Sequence, residues 1–410
     1  MNKKILQLAI PNIISNITVP LLGMIDMAIV GHLDSESYIG AIAVAATIFN
    51  FIYWNFGFLR MGTSGFTAQS YGARDLREAV NILVRAMTVG LSIALLILLL
   101  QSPIQWLAFK FIKASDTVQL YARQYIGIYI WAAPAVLGLY SLKGWFIGMQ
   151  NSRTPMFVAI TINILNIALS LFFVFVLEMK VKGVALGSLL AQYIGFITAA
   201  AIWFWKYGKL RKYIDFRKAI DFRSMIAFFK VNSDIFLRTL CLIAVFTFFT
   251  AASAKMGDTL LAVNTLLLQL FTLFSYIMDG FAYAGEALTG RYIGANSRPL
   301  LKQSIRGLFR WGFILTLVFT LLYAFWGESI LYLLTDKENI INEASNYFYW
   351  VLAVPIAGFS AFLWDGILIG ATASAAMRNA MFLATVAFFI LYYSLEPMMG
   401  NNALWLAFII

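Results

Sequence analysis

Long apolar segments alternate with short polar loops along almost the whole chain. Because about 20 apolar residues are needed to cross the hydrocarbon core of a bilayer, each long segment predicts a membrane-spanning helix. We predict such helices at roughly 6–31, 39–69, 80–108, 120–148, 155–177, 183–205, 233–255, 259–289, 304–333, 344–371 and 378–396. A twelfth begins near Ala403 and stops at Ile410, so we interpret the last helix as truncated.

The first half of this pattern recurs in the second half, in the same direction and at an offset of 222 residues. The corresponding positions are Thr67 and Thr289, Gly72 and Gly294, Gly144 and Gly366, and Gly148 and Gly370. A parallel repeat in so apolar a chain is typical of transporters built from two lobes. We therefore predict an all-α integral membrane protein with one six-helix lobe in 1–205, a cytoplasmic linker at 206–232 and a second lobe in 233–410.

The composition supports a lipid environment and argues against an enzyme. Hydrophobic residues make up 61% of the chain and charged residues only 12%, whereas soluble domains carry roughly 25% charged residues. Cys241 and His32 are the only residues of their kinds. A disulfide, a zinc, haem or iron–sulfur site, and Ser-His or Cys-His catalysis are therefore not expected. We predict no metal and no cofactor.

Basic residues account for the net charge of +11 and predict the orientation of the chain. They are concentrated in alternate loops, at 3–4, 74–77, 153, 206–230, 291–306 and 378. The positive-inside rule then places both ends of the intact chain in the cytoplasm, and we expect a multi-pass protein of the plasma (inner) membrane. The run 206–230 is interpreted as a linker that lies partly on the membrane surface. No nucleic-acid partner is expected.

Asp26 is the main candidate for ion coupling. An ionisable group inside a membrane helix costs roughly 2.5–3.5 kcal/mol on insertion scales, so each one needs an explanation. Asp26 has no charged residue within one helical turn, and such surroundings disfavour the charged form of a carboxyl. It is a candidate carrier of a proton or a sodium ion. The alternative is a protonated carboxyl that only bonds a neighbouring helix.

Three polar residues of the fifth predicted helix and two prolines of the first extend this candidate site. Asn163, Asn166 and Ser170 share one helical face, and their oxygens suit a cation or proton relay. Interhelical hydrogen bonding is the alternative. Pro11 and Pro20 are candidate hinges in the helix that carries Asp26, because proline frees a carbonyl and permits a bend. Static kinks are the alternative.

A possible second-lobe site contains Asp279 and Asp365. Asp365 corresponds in the repeat to Lys143, so opposite charges occupy equivalent positions. The alternative places both near cytoplasmic helix ends, with Lys143 extending to the interface. Glu286 is expected to be solvated or to pair with Arg291. A break in the second helix is expected at 62–65, near Arg60, for which the sequence indicates no partner.

These residues, taken together, resemble the multidrug and toxic compound extrusion (MATE) family, specifically its DinF-like branch. The resemblance is carried by Ile10-Pro11, Ile25-Asp26-Met27-Ala28-Ile29-Val30-Gly31, Gly72-Ala73-Arg74-Asp75, Lys143-Gly144, Asn151-Ser152-Arg153-Thr154-Pro155, Asn163 through Asn166, Gly183-Val184-Ala185, Asp279-Gly280-Phe281-Ala282 and Glu286-Ala287-Leu288-Thr289-Gly290. It implies twelve helices in two lobes that are related by a pseudo-twofold axis along the membrane normal.

The resemblance also implies export of organic, often cationic, compounds against an inward flow of protons or sodium. Relatives use an acidic residue at the position of Asp26, and some bend the first helix at the position of Pro11. Relatives with a carboxylate on the fifth helix carry it where this chain has Ser170, a departure that favours protons over sodium.

We expect a monomeric antiporter that takes a small organic substrate by alternating access. The alternative is a lipid or lipid-linked saccharide flippase of the same wider superfamily.

Overall fold

In the computed structural model of the chain, which describes residues 1–31, 35–112, 114–335 and 337–410, helices dominate the fold. The α-helices are α1 (Asn2–Gly31), α2 (Glu36–Asn55), α3 (Phe58–Gly72), α4 (Leu76–Leu99), α5 (Gln101–Phe111), α6 (Asp116–Tyr129), α7 (Ala133–Gly148), α8 (Arg153–Leu171), α9 (Lys180–Tyr207), α10 (Phe216–Ala219), α11 (Phe222–Lys255), α12 (Asp258–Gly294), α13 (Arg298–Leu334), α14 (Glu338–Gly370), α15 (Ser374–Met399) and α16 (Asn401–Ile409). His32 lies outside the described residues.

The predicted membrane helices are confirmed in number and order. Within the described ranges, 11 segments are long and apolar enough to cross a membrane, and the short α16 follows them where the twelfth was expected. Two boundaries differ. The apolar stretch predicted at 80–108 divides at Leu100 into α4 and α5. The seventh spanning helix begins at Phe222 rather than near 233, because the first turns of α11 are helical although they carry polar residues.

The expected break at 62–65 is wrong, since it occurs earlier, between α2 and α3. The chain turns at Phe56 and Gly57, and Arg60 lies in the first turn of α3. Gly62 and Gly65 are helical and serve close packing instead. A Cβ at Gly62 would collide with Asn232, and one at Gly65 would collide with the carbonyl of Ile369. Glycine here lets two helices approach closely.

The 222-residue repeat of the sequence is present in the backbone geometry. Within each half, equivalent glycines face equivalent carbonyls. A Cβ at Gly144 would meet the carbonyl of Arg60, and one at Gly366 would meet that of Ala282. Four non-glycine residues with positive φ also pair at this offset. They are Arg74 (60°) with Asn296 (49°), and Gln150 (62°) with Thr372 (52°).

The two halves meet reciprocally at the end of the bundle that carries most basic loops, here called the basic end. Gly72 packs on the carbonyl of Arg291, and its equivalent Gly294 packs on the carbonyl of Gln69. Such an exchange of equivalent contacts is what a pseudo-twofold axis between α3 and α12 requires. Hydrogen bonds lock the junction, with Gln69 Nε2 donating to the Gly370 carbonyl at 3.0 Å and Gln150 Nε2 donating to the Ala287 carbonyl at 2.7 Å.

Each half also has its own apolar core, which keeps the halves distinct bodies. One large cluster is built from α12 to α14 with neighbouring helices and from the start of α1, including Ile5 and Leu8. Another is built from α2, α4, α6 and α7. The start of α1 therefore packs on the second half. The contact between Ile13 of α1 and Gly280 of α12 extends this packing.

The connection between the halves is anchored to the first half. Arg85 of α4 is buried and donates from Nε to the Ala219 carbonyl at 2.8 Å, while its Nη1 pairs with Glu78 at 3.3 Å. Ala219 ends the short helix α10 and is itself buried. Only two residues then separate α10 from α11, and the second of them, Asp221, caps α11 by accepting from the Ser224 amide.

Candidate functional site

A group of charged side chains lies where the two halves meet, and we call it the central cluster. Its members are Arg60, Lys143, Arg238, Asp279, Glu286 and Asp365, together with the ring of Tyr283. Three cationic and three acidic groups balance, so the formal charge of the cluster is zero. Helix α12 contributes three members at helical spacing. The remaining members come from α3 and α7 of the first half and from α11 and α14 of the second half.

The inner part of the central cluster is a buried ion pair that crosses the junction. Arg60 Nη1 lies 3.1 Å from Glu286 Oε2, with the two side chains 7% and 0% exposed. The guanidinium also stacks over Tyr283, at 4.1 Å from the ring centroid. Because charges inside a low-dielectric region are costly unless paired, this contact ties α3 of one half to α12 of the other.

The outer part of the central cluster is more accessible. Arg238 Nη2 lies 2.8 Å from Asp365 Oδ1, with both side chains partly exposed. Asp279 lies about 10 Å farther along α12 than Glu286, given the rise of a helix, and is also partly exposed. Lys143 Nζ lies 5.7 Å from the centroid of the Tyr283 ring. Lys143 and Asp279 are close enough to interact electrostatically.

Two expectations from the sequence are corrected here. Glu286 is neither solvated nor paired with Arg291, because α3 brings Arg60 to it. Lys143 does not extend to the interface but contacts Tyr283 of the other half. Asp365 does lie near the end of α14, as the alternative held, and it pairs there with Arg238.

Asp26 lies apart from the central cluster, in the first half. Its side chain is 8% exposed, and Oδ1 has no hydrogen-bond partner among the described residues. Tyr125 and Tyr129 of α6 are near enough to interact with its charge. The other buried carboxyls in the described part of the chain, Asp234 and Glu286, each pair with an arginine. Asp26 differs from them because no arginine or lysine within the described ranges forms an ion pair with it.

The polar face of α8 connects to two helices. Asn163 Nδ2 donates to the carbonyl of Thr18 on α1 at 3.1 Å, and Asn166 Nδ2 donates to Ser188 Oγ on α9 at 2.7 Å. The Asn166 Oδ1 and Ser170 Oγ atoms are buried and lack partners among the residues that the structure describes. No hydrogen bond joins Asp26 to Asn163 or Asn166 in that part of the chain. The three polar groups thus lie in the lobe of Asp26, and a joint role in coupling stays a prediction.

The candidate hinges lie within one continuous helix. Pro11 and Pro20 are both inside α1, which is unbroken from Asn2 to Gly31. Near Pro11, Asn12 Nδ2 donates to the Leu8 carbonyl at 2.9 Å and to Ser152 Oγ at 3.0 Å, which fixes this part of α1 to the start of α8. A bending role for either proline stays a prediction.

Sequence reasoning missed the pairing of the central cluster, although it named most of its charged members. Arg238 was not assigned to a site, and Tyr283 was not considered. The signal that identifies Tyr283 is its helical spacing with Asp279 and Glu286 on α12.

Comparisons with known proteins agree with this architecture. The family model for MatE matches residues 11–172 and 235–397, one segment in each half. The DNA damage-inducible protein F of Escherichia coli is 38% identical over 99% of this chain and 88% of its own length. A probable multidrug resistance protein NorM of Thermotoga maritima is 22% identical over 92% of this chain and 80% of its own.

The fold itself matches a solved transporter. The Vibrio cholerae MATE transporter VcmN in its bent form superposes with a TM-score of 0.87 at 17% identity, covering 100% of this chain and 93% of that one. The family match in both halves and the relative aligned along almost the whole sequence lead to one assignment: this chain belongs to the MatE family and is a multi-pass membrane transporter.

Proposed function

We propose that the chain is a secondary active antiporter that exports organic compounds in exchange for protons moving inward, with Asp26 as the proton-carrying group. The observation that carries the proposal is the isolation of Asp26. This carboxyl is buried in the first half, and no arginine or lysine of the described ranges pairs with it. A carboxyl of this kind is able to exchange a proton without first breaking an ion pair.

The names of the relatives support extrusion of foreign compounds. One relative is named as a multidrug resistance protein and a structural neighbour as a MATE transporter, and neither name favours the flippase alternative. The Escherichia coli relative supports location in the inner membrane. The concentration of basic loops at one end supports cytoplasmic termini. In that orientation the halves are packed together on the cytoplasmic side.

Protons are favoured over sodium because Ser170 supplies a hydroxyl where a second carboxylate would strengthen a cation site. Asn163, Asn166 and Ser170 provide neutral oxygens only. Among the described residues of this region, sodium finds no negative charge besides that of Asp26, whereas a proton needs only the one carboxyl.

The test is transport by the purified chain in proteoliposomes, with a fluorescent organic dye as substrate. We expect dye movement to follow an imposed pH gradient in sodium-free buffer. Asp26→Asn should abolish this dependence, while Asp258→Asn, at an exposed carboxyl at the start of α12, should leave it unchanged. Dye movement that needs a sodium gradient and ignores pH would contradict the proposal, as would full pH-driven transport by Asp26→Asn.

A further inference from the structure

The central cluster contains two charged groups that form no ion pair with any described residue. Of its six charged residues, four are used in the ion pairs Arg60–Glu286 and Arg238–Asp365. Lys143 and Asp279 have no hydrogen bond or ion pair within the described parts of the chain, and both are partly exposed. An unpaired ionised group at membrane depth is unfavourable. The presence of Lys143 and Asp279 at the junction without ion-pair partners therefore needs an explanation.

The two groups face the junction from opposite halves. Lys143 is on α7 of the first half and contacts the ring of Tyr283 on α12. Asp279 is one helical turn from Tyr283 on the same helix and interacts electrostatically with Arg238 and Arg60 as well as with Lys143. The ring of Tyr283 therefore lies beside both charges, and it is itself partly exposed.

The other charged residues of the cluster are already used in the two ion pairs. Arg60 is held by Glu286 and Tyr283, and Arg238 by Asp365. Neither guanidinium is available to neutralise Asp279 fully, and neither paired carboxylate is available to Lys143. A ligand that carries only a positive charge would satisfy Asp279 but be repelled by Lys143. A ligand that carries only a negative charge would be attracted by Lys143 but repelled by Asp279.

We infer that the central cluster binds a zwitterionic organic ligand, with Lys143 binding its anionic group, Asp279 its cationic group and Tyr283 contacting its apolar body. This inference deepens the proposed function, on which it rests for the statement that the ligand is transported. Binding itself requires no ion gradient, so the two are tested separately.

The experiment measures binding of three dyes to the purified full chain in lipid nanodiscs by fluorescence polarisation, at one pH and without any gradient. Rhodamine B carries a carboxylate and a cationic ring system, its ethyl ester keeps only the cation, and fluorescein is an anion. We expect rhodamine B to bind at least tenfold more tightly than either of the others. Lys143→Met should remove that preference by weakening rhodamine B and strengthening the ester, which Lys143 no longer repels.

Three further variants complete the set. Lys143→Arg keeps the positive charge and should keep the preference, which separates a charge effect from a folding defect. Asp279→Asn should weaken both rhodamine dyes, because each presents a cation. Lys255→Met, at an exposed lysine, is the matched control and should change nothing.

Equal affinities of the wild-type chain for rhodamine B and its ester would overturn the inference, and so would an equal loss for both dyes in Lys143→Met. If the binding preference holds but the pH-driven transport assay fails, the site stands and the proton antiport does not. If transport is pH-driven but binding shows no preference, only the zwitterion site is refuted.

Discussion

Cutting the ion pair between Arg60 and Glu286 should loosen the junction of the two halves. The pair is 3.1 Å long, with side chains 7% and 0% exposed. Removing one partner of such a buried pair typically costs about 3–5 kcal/mol, because the other charge is left uncompensated. In Glu286→Gln, Arg60 keeps its contact with Tyr283 at 4.1 Å, which is worth roughly 0.5–2 kcal/mol. We therefore expect a smaller loss there than in Arg60→Met.

The double variant Arg60→Met with Glu286→Gln should recover most of the loss, because replacing both charges avoids the unpaired group. The pair connects the two halves, which under the proposed transport mechanism separate at the basic end. A cost of about 3 kcal/mol would therefore shift the equilibrium toward the opened basic end by on the order of a hundredfold. The structure thus predicts a conformational change as well as lower stability.

Two measurements check this reasoning. Thermal unfolding in detergent reports stability, and electron–electron resonance between spin labels reports the separation of the halves. Labels at Arg77→Cys and Leu300→Cys, both exposed positions at the basic end, are introduced after Cys241→Ser removes the native thiol. We expect longer distances in Arg60→Met and near-wild-type distances in the double variant. Unchanged distances and stability in Arg60→Met, or a double variant no better than the worse single one, would refute the reasoning.

Three further predictions concern packing, the second core and energetics. Gly294→Ala should reduce transport severalfold, because its Cβ would collide with the Gln69 carbonyl. In the control Gly23→Ala the added Cβ meets no atom within 4 Å, so transport should be unchanged. Equal dye transport by both variants would count against the tight junction. Asn264→Leu should lower the free energy of unfolding by about 1–3 kcal/mol, since it leaves the buried Asn401 amide without its partner at 3.1 Å; an unchanged denaturant midpoint would reject this. Exchange of one proton for a zwitterion moves one net charge, so 100 mV of membrane potential should add about 2.3 kcal/mol of driving force; uptake of rhodamine B that ignores a potassium diffusion potential would contradict this.

The spans and the repeat were predictable because lipid forces every backbone group into internal hydrogen bonds, so the apolar pattern follows the helices closely. The offset that relates Gly72 to Gly294 likewise reappears as reciprocal packing at the junction. The start of α11 at Phe222 was not predictable in the same way, because helix outside the apolar region leaves no hydropathy signal.

The contacts between the halves could not be predicted from the sequence. Arg60 and Glu286 are 226 residues apart, and no local pattern specifies which faces of α3 and α12 meet. The burial of Asp26 was predictable from its insertion cost, but its neighbours Tyr125 and Tyr129 belong to α6, which periodicity alone does not place beside α1. Hydrophobic patterning shows which residues lie in helices, whereas partner choice depends on helix rotation and register.

The anchoring of the linker by Arg85 limits how one half is able to move. With Ala219 held on α4 and α11 beginning at Phe222, the free connection is two residues long and extends about 7 Å at most. The second half therefore cannot slide away from the first at this corner. The second half has to rotate about this corner, so that the largest displacements occur at the opposite side of the bundle. A transporter built in this way carries its own pivot in the polypeptide, and lengthening the chain between Ala219 and Phe222 would change the arc of the motion without touching any substrate contact.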